Sequence, residues 1–177
     1  MKPVTNNVAL VLSFFICLSS VNSNRLLDNN IINEICADVT YKDICLESFR
    51  NENTTNDLKG KSDRVVAAVK ITSNNGTEIA IHIEKSLDQS KGLKPESKTA
   101  FEACEANYDT ALKKLEDTLE SMENEEYEKM KEDVSSAIDD ANDCDKGQHG
   151  DPVLSEKTKL FCKLCENAID IMSKYLN

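Results

Sequence analysis

The chain has 177 residues and a formal net charge of −11, with 30 % charged residues, 5 % aromatics, no Trp, five Gly and three Pro. That acid excess excludes a phosphate-neutralising nucleic-acid face and a polybasic contact with anionic membrane. Scarce Gly, Pro and aromatics argue against an all-β sandwich, and apolar residues recur too regularly for a disordered chain. The length fits one domain.

At the N-terminus, Lys2 precedes an apolar stretch from Val8 to Val21, followed by Val21-Asn22-Ser23. The stretch is shorter than the roughly 20 apolar residues of a membrane span. It reads as a secretory signal, residues 1–23, cleaved after Ser23. No other stretch is apolar enough to span a bilayer, so no membrane association is expected after its removal. The domain is then 24–177. Loss of Lys2 takes the net charge to −12, and loss of Cys17 leaves six of the seven cysteines. An even count in an oxidising compartment implies disulfides. Asn53-Thr54-Thr55 and Asn75-Gly76-Thr77 are N-glycosylation sequons.

Residues 29–49 read as a short helical hairpin, with Ile31, Ile32, Ile35 and Cys36 on one face and Cys45 nine residues later. A polar loop covers 51–60. A long helix is expected from about Ser62 to Ser90, built on Val65, Val66, Val69, Ile79, Ile83 and Leu87, with a kink or break at Asn74-Asn75-Gly76. Pro95 suits the first turn of the next helix. There Phe101, Cys104, Tyr108, Leu112, Leu115, Leu119 and Met122 form one helical stripe. A further helix is expected over about Asn124 to Asn142, with Tyr127, Met130, Val134, Ala137 or Ile138, and Ala141 inward. A loop is expected over Cys144 to Gly150. Asp151-Pro152 opens a last helix on Leu154, Thr158, Phe161, Cys165, Ala168, Met172 and Tyr175. The implied fold is all-α: a hairpin and loop over 24–61, then a four-helix up-and-down bundle over 62–177.

These residues resemble the plant invertase and pectin methylesterase inhibitor family. Ile32-x-x-x-Cys36 followed by Cys45 is similar to its opening hairpin. Ala100-Phe101-Glu102-Ala103-Cys104 with Tyr108, Ala111 and Leu115, then Tyr127, Ser135, Ala137 and Cys144, is similar to its central segments. Leu164-Cys165-Glu166-Asn167-Ala168-Ile169 resembles its closing motif. The chain departs from the family at Val39-Thr40-Tyr41, where Thr-Pro is common, and at Ser136. Glu125-Glu126-Tyr127 stands where invertase inhibitors often carry Pro-Lys-Phe.

The resemblance implies the pairings Cys36–Cys45 and Cys104–Cys144, which would staple the hairpin and the bundle. In the loop-entropy model, loops of about ten and about forty residues give roughly 2.7 and 3.9 kcal/mol. Cys162 and Cys165 remain, as free or paired thiols. A disulfide between them would strain a regular helix, and no βαβ context supports redox chemistry. Cys144, His149, Cys162 and Cys165 are zinc-ligand types, but their spacing follows no strong zinc pattern.

His82 and His149 are the only histidines, and neither belongs to a catalytic motif. His82 reads as a partly exposed structural residue. The acidic run from Glu116 to Asp133 reads as a solvated helix face, since it lacks the spacing of a calcium loop. No catalytic residue, cofactor or metal is expected.

What the resemblance implies is a secreted proteinaceous inhibitor in the apoplast or cell wall. It would block the active-site cleft of a carbohydrate enzyme in a 1:1 complex. The missing Pro-Lys-Phe favours pectin methylesterase as the partner, with acid invertase the alternative. The net charge suits a basic partner. No residue of the inhibitory interface is readable. From another class, a secreted helical carrier of a small apolar ligand fits the cysteine spacing poorly, and an inhibitor fold serving another role is a third reading.

Overall fold

The computed structural model describes residues 29–52, 58–89, 94–147 and 151–176, and among them the only regular structure is helix. The leader 1–23, Asn53 and His149 lie outside the described residues. Helix α1 covers 29–35 and α2 Lys42–Asn51. Four long helices follow: α3 Lys61–Asp88, α4 Pro95–Glu123, α5 Tyr127–Gly147 and α6 Pro152–Tyr175. Their starts have local causes. The Asp63 carboxylate accepts from the Gly60 N–H at 2.8 Å, which satisfies a donor at the start of α3. Pro95 and Pro152 occupy first-turn positions where no N–H is needed. Asp151 Oδ1 accepts from the N–H groups of Val153 and Leu154 at 2.9 and 3.0 Å.

The long helices form a ring in which α3 packs between α4 and α6, and α5 packs between the same two neighbours. This is the up-and-down order expected of helices joined by short connections. All seven positions of the α6 stripe, from Leu154 to Tyr175, are buried. Tyr108 and Phe161 meet edge-on with ring centroids 5.5 Å apart, and the Tyr108 hydroxyl donates to Thr158 Oγ1 at 2.9 Å. That bond satisfies the polar tip of a fully buried aromatic.

Three expectations are corrected. The helix is unbroken through Asn74-Asn75-Gly76, because Gly76 is a packing residue there and not a punctuator. A Cβ at Gly76 would sit 2.8 Å from Phe161 Cε2 and 2.9 Å from Leu112 Cδ2. The missing side chain lets α6 and α4 close on α3.

The stripe on α4 is also displaced. Phe101, Cys104, Tyr108 and Leu115 are buried, but Leu112, Leu119 and Met122 are only half-buried, while Ala111, Thr118 and Ser121 are buried instead. Ala111 and Thr118 follow Cys104 by one and two heptads, and Ala137 and Met130 precede Cys144 by the same steps. Residues a heptad apart share a helix face, so Ala111, Thr118 and Ala137, with the larger Met130 at one end, line the seam between antiparallel α4 and α5. Larger ones are turned toward α3.

The third correction concerns α5. It starts at Tyr127 because Asn124 caps α4, and it continues past Asn142 to Gly147. Cys144 is buried and bonded to Cys104, which holds the final turn against α4.

Among the described residues there are two disulfides. Cys36–Cys45 spans a Cα separation of 5.7 Å within the hairpin, and Cys104–Cys144 spans 4.5 Å between α4 and α5. The hairpin itself is latched to the bundle by polar groups. The Asn167 side-chain amide donates to the Tyr41 carbonyl at 3.0 Å and accepts from the Tyr41 N–H at 2.9 Å. Asp170 accepts from the Thr40 N–H and hydroxyl, both at 2.8 Å. Lys174 donates to the Glu34 carbonyl and to Asp38. Arg64 stacks 4.9 Å from the centre of the Tyr175 ring and donates to Glu34 and to the Tyr175 hydroxyl.

Candidate functional site

The half-buried apolar residues displaced from the core define a surface. Leu119 and Met122 of α4 face Val66 of α3 and Tyr127 of α5 around a groove of about 460 Å³. It meets a second depression of about 530 Å³ between α3 and α4, where Leu112 and Leu119 face Ser73 and Thr77. Leu119 is common to both, so the groove runs along the α3–α4 seam and ends at the α4–α5 turn.

That turn is held rigidly. The Glu126 N–H donates to the Ser121 carbonyl at 2.9 Å, and the Glu125 N–H donates to the Met122 carbonyl at 3.1 Å. These two bonds are those of a Schellman motif, in which the residue in the left-handed region is usually Gly. Here it is Glu125, at φ 60°. Lys129 donates to Ser121 Oγ at 3.0 Å and ties α5 back to α4. Glu123, Glu125, Glu126 and Glu128 are all exposed, so the groove ends at an acidic knob of fixed shape. The run behaves as a solvated face over most of its length. Asp133 departs from it: the residue is only 8 % exposed, its Oδ2 has no hydrogen-bond partner, and Lys114 Nζ lies 4.0 Å from its other oxygen. Further along α5, burial raises the Asp140 carboxyl above its ordinary range.

The remaining candidate residues do not converge on a reactive centre. Cys165 is buried, and Cys162 is half-buried with Sγ 3.8 Å from Asn142 Oδ1. Both are free thiols. Burial, then Glu166 and Asp145, pushes Cys162 up to about 11, so almost no nucleophilic thiolate exists at neutral pH. Burial also raises the Cys165 thiol well above its ordinary range. His82 is half-buried with Nε2 3.5 Å from the Asp151 carboxylate that caps α6. Asn75 is half-buried in α3 and faces α2 and α6. Among the described residues, no group of three His, Cys, Asp or Glu is placed to hold a metal ion, and no helix is long and apolar enough to cross a membrane.

The groove was hidden in the sequence because Leu112, Leu119 and Met122 fit the same 3–4 spacing as core residues. The signal that separates them is the second line of small residues, Ala111, Thr118 and Ser121, beside them.

These elements define a disulfide-stapled all-α bundle with a grooved face and an ordered turn. The chain belongs to the plant invertase/pectin methylesterase inhibitor family, whose model matches residues 30–171. It is 22 % identical over 165 residues to a pectinesterase inhibitor of Actinidia deliciosa, covering 92 % of this chain and 86 % of the relative. Two solved structures share the fold. A mutant form of a pectin methylesterase inhibitor from Arabidopsis has a TM-score of 0.67 at 21 % identity, covering 81 % of this chain and 96 % of that one. A pectin methylesterase inhibitor from Arabidopsis thaliana has a TM-score of 0.60 at 21 % identity, with 81 % and 95 % coverage.

Proposed function

We propose that the protein is exported with removal of residues 1–23, acts in the cell wall, and inhibits pectin methylesterase by setting its α3–α4–α5 face over the enzyme's active-site cleft in a 1:1 complex. Family membership and the pectinesterase-inhibitor relative support the inhibitor role. The observation that carries the choice of face is the groove of Val66, Leu119, Met122 and Tyr127 ending at the fixed acidic turn. Apolar residues in a groove supply contact area, and a turn with its backbone already ordered loses little entropy on docking. Exposed Glu123, Glu125 and Glu126 favour a basic rim on the enzyme and discriminate against an acidic one.

The test is titration of the chain from Asn24 against a pectin methylesterase, with an acid invertase alongside. Stoichiometric loss of methylesterase activity is expected, weakening as salt rises. Reversing two turn charges, Glu125→Lys with Glu126→Lys, is expected to weaken inhibition about tenfold at low salt. Full activity of both enzymes at micromolar protein overturns the inhibitor reading. Unchanged inhibition by the reversed variant and by Leu119→Asp overturns the choice of face.

A further inference from the structure

The two flanks of α3 are unlike. Val66, Ser73 and Thr77 look toward α4 and the groove described above. Ile71, Asn75 and Glu78 look toward α2 and α6, where they border a separate open groove of about 260 Å³. Leu160 of α6 lies in this second groove and is 37 % exposed, with Ile44 of α2 across from it. Asn75 has its Oδ1 buried with no hydrogen-bond partner. An unpaired buried amide oxygen is a cost that an alanine would avoid, so the fold alone gives no reason for an asparagine here. Asn75 is the first residue of Asn75-Gly76-Thr77, and Gly76 is accounted for by packing, since a Cβ there would collide with Phe161 and Leu112.

We propose that Asn75 carries an N-linked glycan whose first sugars lie in the groove between α2, α3 and α6, which gives that flank to carbohydrate and leaves the α3–α4–α5 face for the target. The proposal rests on the export reading, because the donor belongs to the secretory route. Asn75 Nδ2 displaces the pyrophosphate of a lipid-linked oligosaccharide at the anomeric carbon of its first sugar. One proton is lost and the lipid pyrophosphate leaves. In the folded helix the Thr77 hydroxyl donates to the Ser73 carbonyl at 2.9 Å, so transfer takes place on the extended chain before α3 forms. After folding, the sugar brings acetamido and hydroxyl donors to the mouth of a groove that holds an unpaired amide oxygen. Its C–H faces cover Leu160 and Ile44. Since Asn75 and Thr77 point to opposite flanks of α3, the glycan does not obstruct the groove with α4.

The full chain, secreted from a eukaryotic host, is digested with trypsin. Peptide 71–85 contains the Asn75 sequon alone and peptide 51–59 the Asn53 sequon alone. Peptide 71–85 is expected to carry glycan. Hydroxyl-radical labelling of Leu160 is expected to be largely lost in the glycosylated protein and restored in Asn75→Gln, with inhibition equal in the two. A bare 71–85 beside a modified 51–59 overturns the proposal while the export reading stands. Both peptides bare overturn the proposal in the same way, whereas a chain that the host retains in the cytosol overturns the export reading. A modified Asn75 with Leu160 still fully labelled overturns the seating in the groove. Stronger inhibition by Asn75→Gln overturns the division of faces. If neither enzyme is inhibited, the peptide and labelling readouts still decide the glycan question.

Discussion

The α4–α5 seam and the seat of the hairpin on α6 are closed by different chemistry. The first uses small apolar side chains, Ala111 and Ala137, and one long-loop disulfide. The second adds, to buried Ile32, Ile35 and Phe49, polar groups that reach from α6 to the hairpin backbone and from Arg64 of α3 to the Glu34 carboxylate, with its disulfide spent inside the hairpin. A seam of small residues fails only when its packing fails. A polar latch fails one bond at a time, and it responds to pH. The comparison teaches that the bundle and the hairpin are separate stability problems within one chain.

The largest test of that difference removes the staples in turn. Cys104→Ala with Cys144→Ala is expected to lower global stability by about 4 kcal/mol in denaturant unfolding. Cys36→Ala with Cys45→Ala is expected to raise hydrogen exchange in the hairpin while α4 and α5 keep their protection. Equal effects of the two pairs on the whole molecule would break the comparison.

Next comes Asn167→Ala, which leaves the Tyr41 N–H without its partner and takes one of two bonds from the Tyr41 carbonyl, which still accepts from the Cys45 N–H. The expected loss is about 2 kcal/mol, and exchange should rise first around residues 36–51. Glu125→Gly is expected to act in the opposite direction, stabilising the α4–α5 turn by about 1 kcal/mol because Gly takes the left-handed conformation without strain. A Glu125→Gly protein that unfolds earlier would show that the turn draws support from the glutamate side chain.

The smallest effect is acid loosening of the latch. The hydrogen bond and charge of Lys174 hold Asp38 below its ordinary carboxyl range. A depressed folded value gives stability that is present above the unfolded value and is lost as pH falls through the folded one. Hairpin exchange should therefore rise as pH drops below the ordinary aspartate value of 3.8, with the α4–α5 seam unchanged by this group. Exchange that is flat with pH in that range would remove Asp38 from the latch.

Legibility in the sequence followed the same division. The α6 stripe was readable because all seven positions face a core that surrounds one side of the helix. The α4 stripe was misread at Leu112, Leu119 and Met122, since hydrophobicity alone does not show that a helix has two apolar neighbours at different distances. The seam with α5 needed small residues for close approach, and small residues carry little hydropathic signal. The helix α3 ran through Asn74-Asn75-Gly76 because tertiary packing overrode a weak local preference. The latch was invisible for another reason. Thr40, Arg64, Asp170 and Lys174 look like ordinary surface residues until the fold brings them together, and only Asn167 stood within a recognisable motif. The groove and its acidic turn combined both difficulties: Glu125-Glu126-Tyr127 stood out as a departure from the family, but nothing in the sequence placed it beside Val66, Leu119 and Met122.

The pairing of Asn167 with Tyr41 has a consequence for the order of assembly. The two residues are separated by 126 positions, and the other α6 anchors of the hairpin by 130 to 140. The hairpin is among the first parts of the domain to leave the ribosome, and its docking surface is among the last. Its own disulfide, spanning nine residues, needs nothing that comes later. On the proposed export route, the hairpin can therefore close well before α6 is available for it to dock against. Attachment waits until the final two turns of α6 emerge, which makes the C-terminal residues the completion signal for the N-terminal ones.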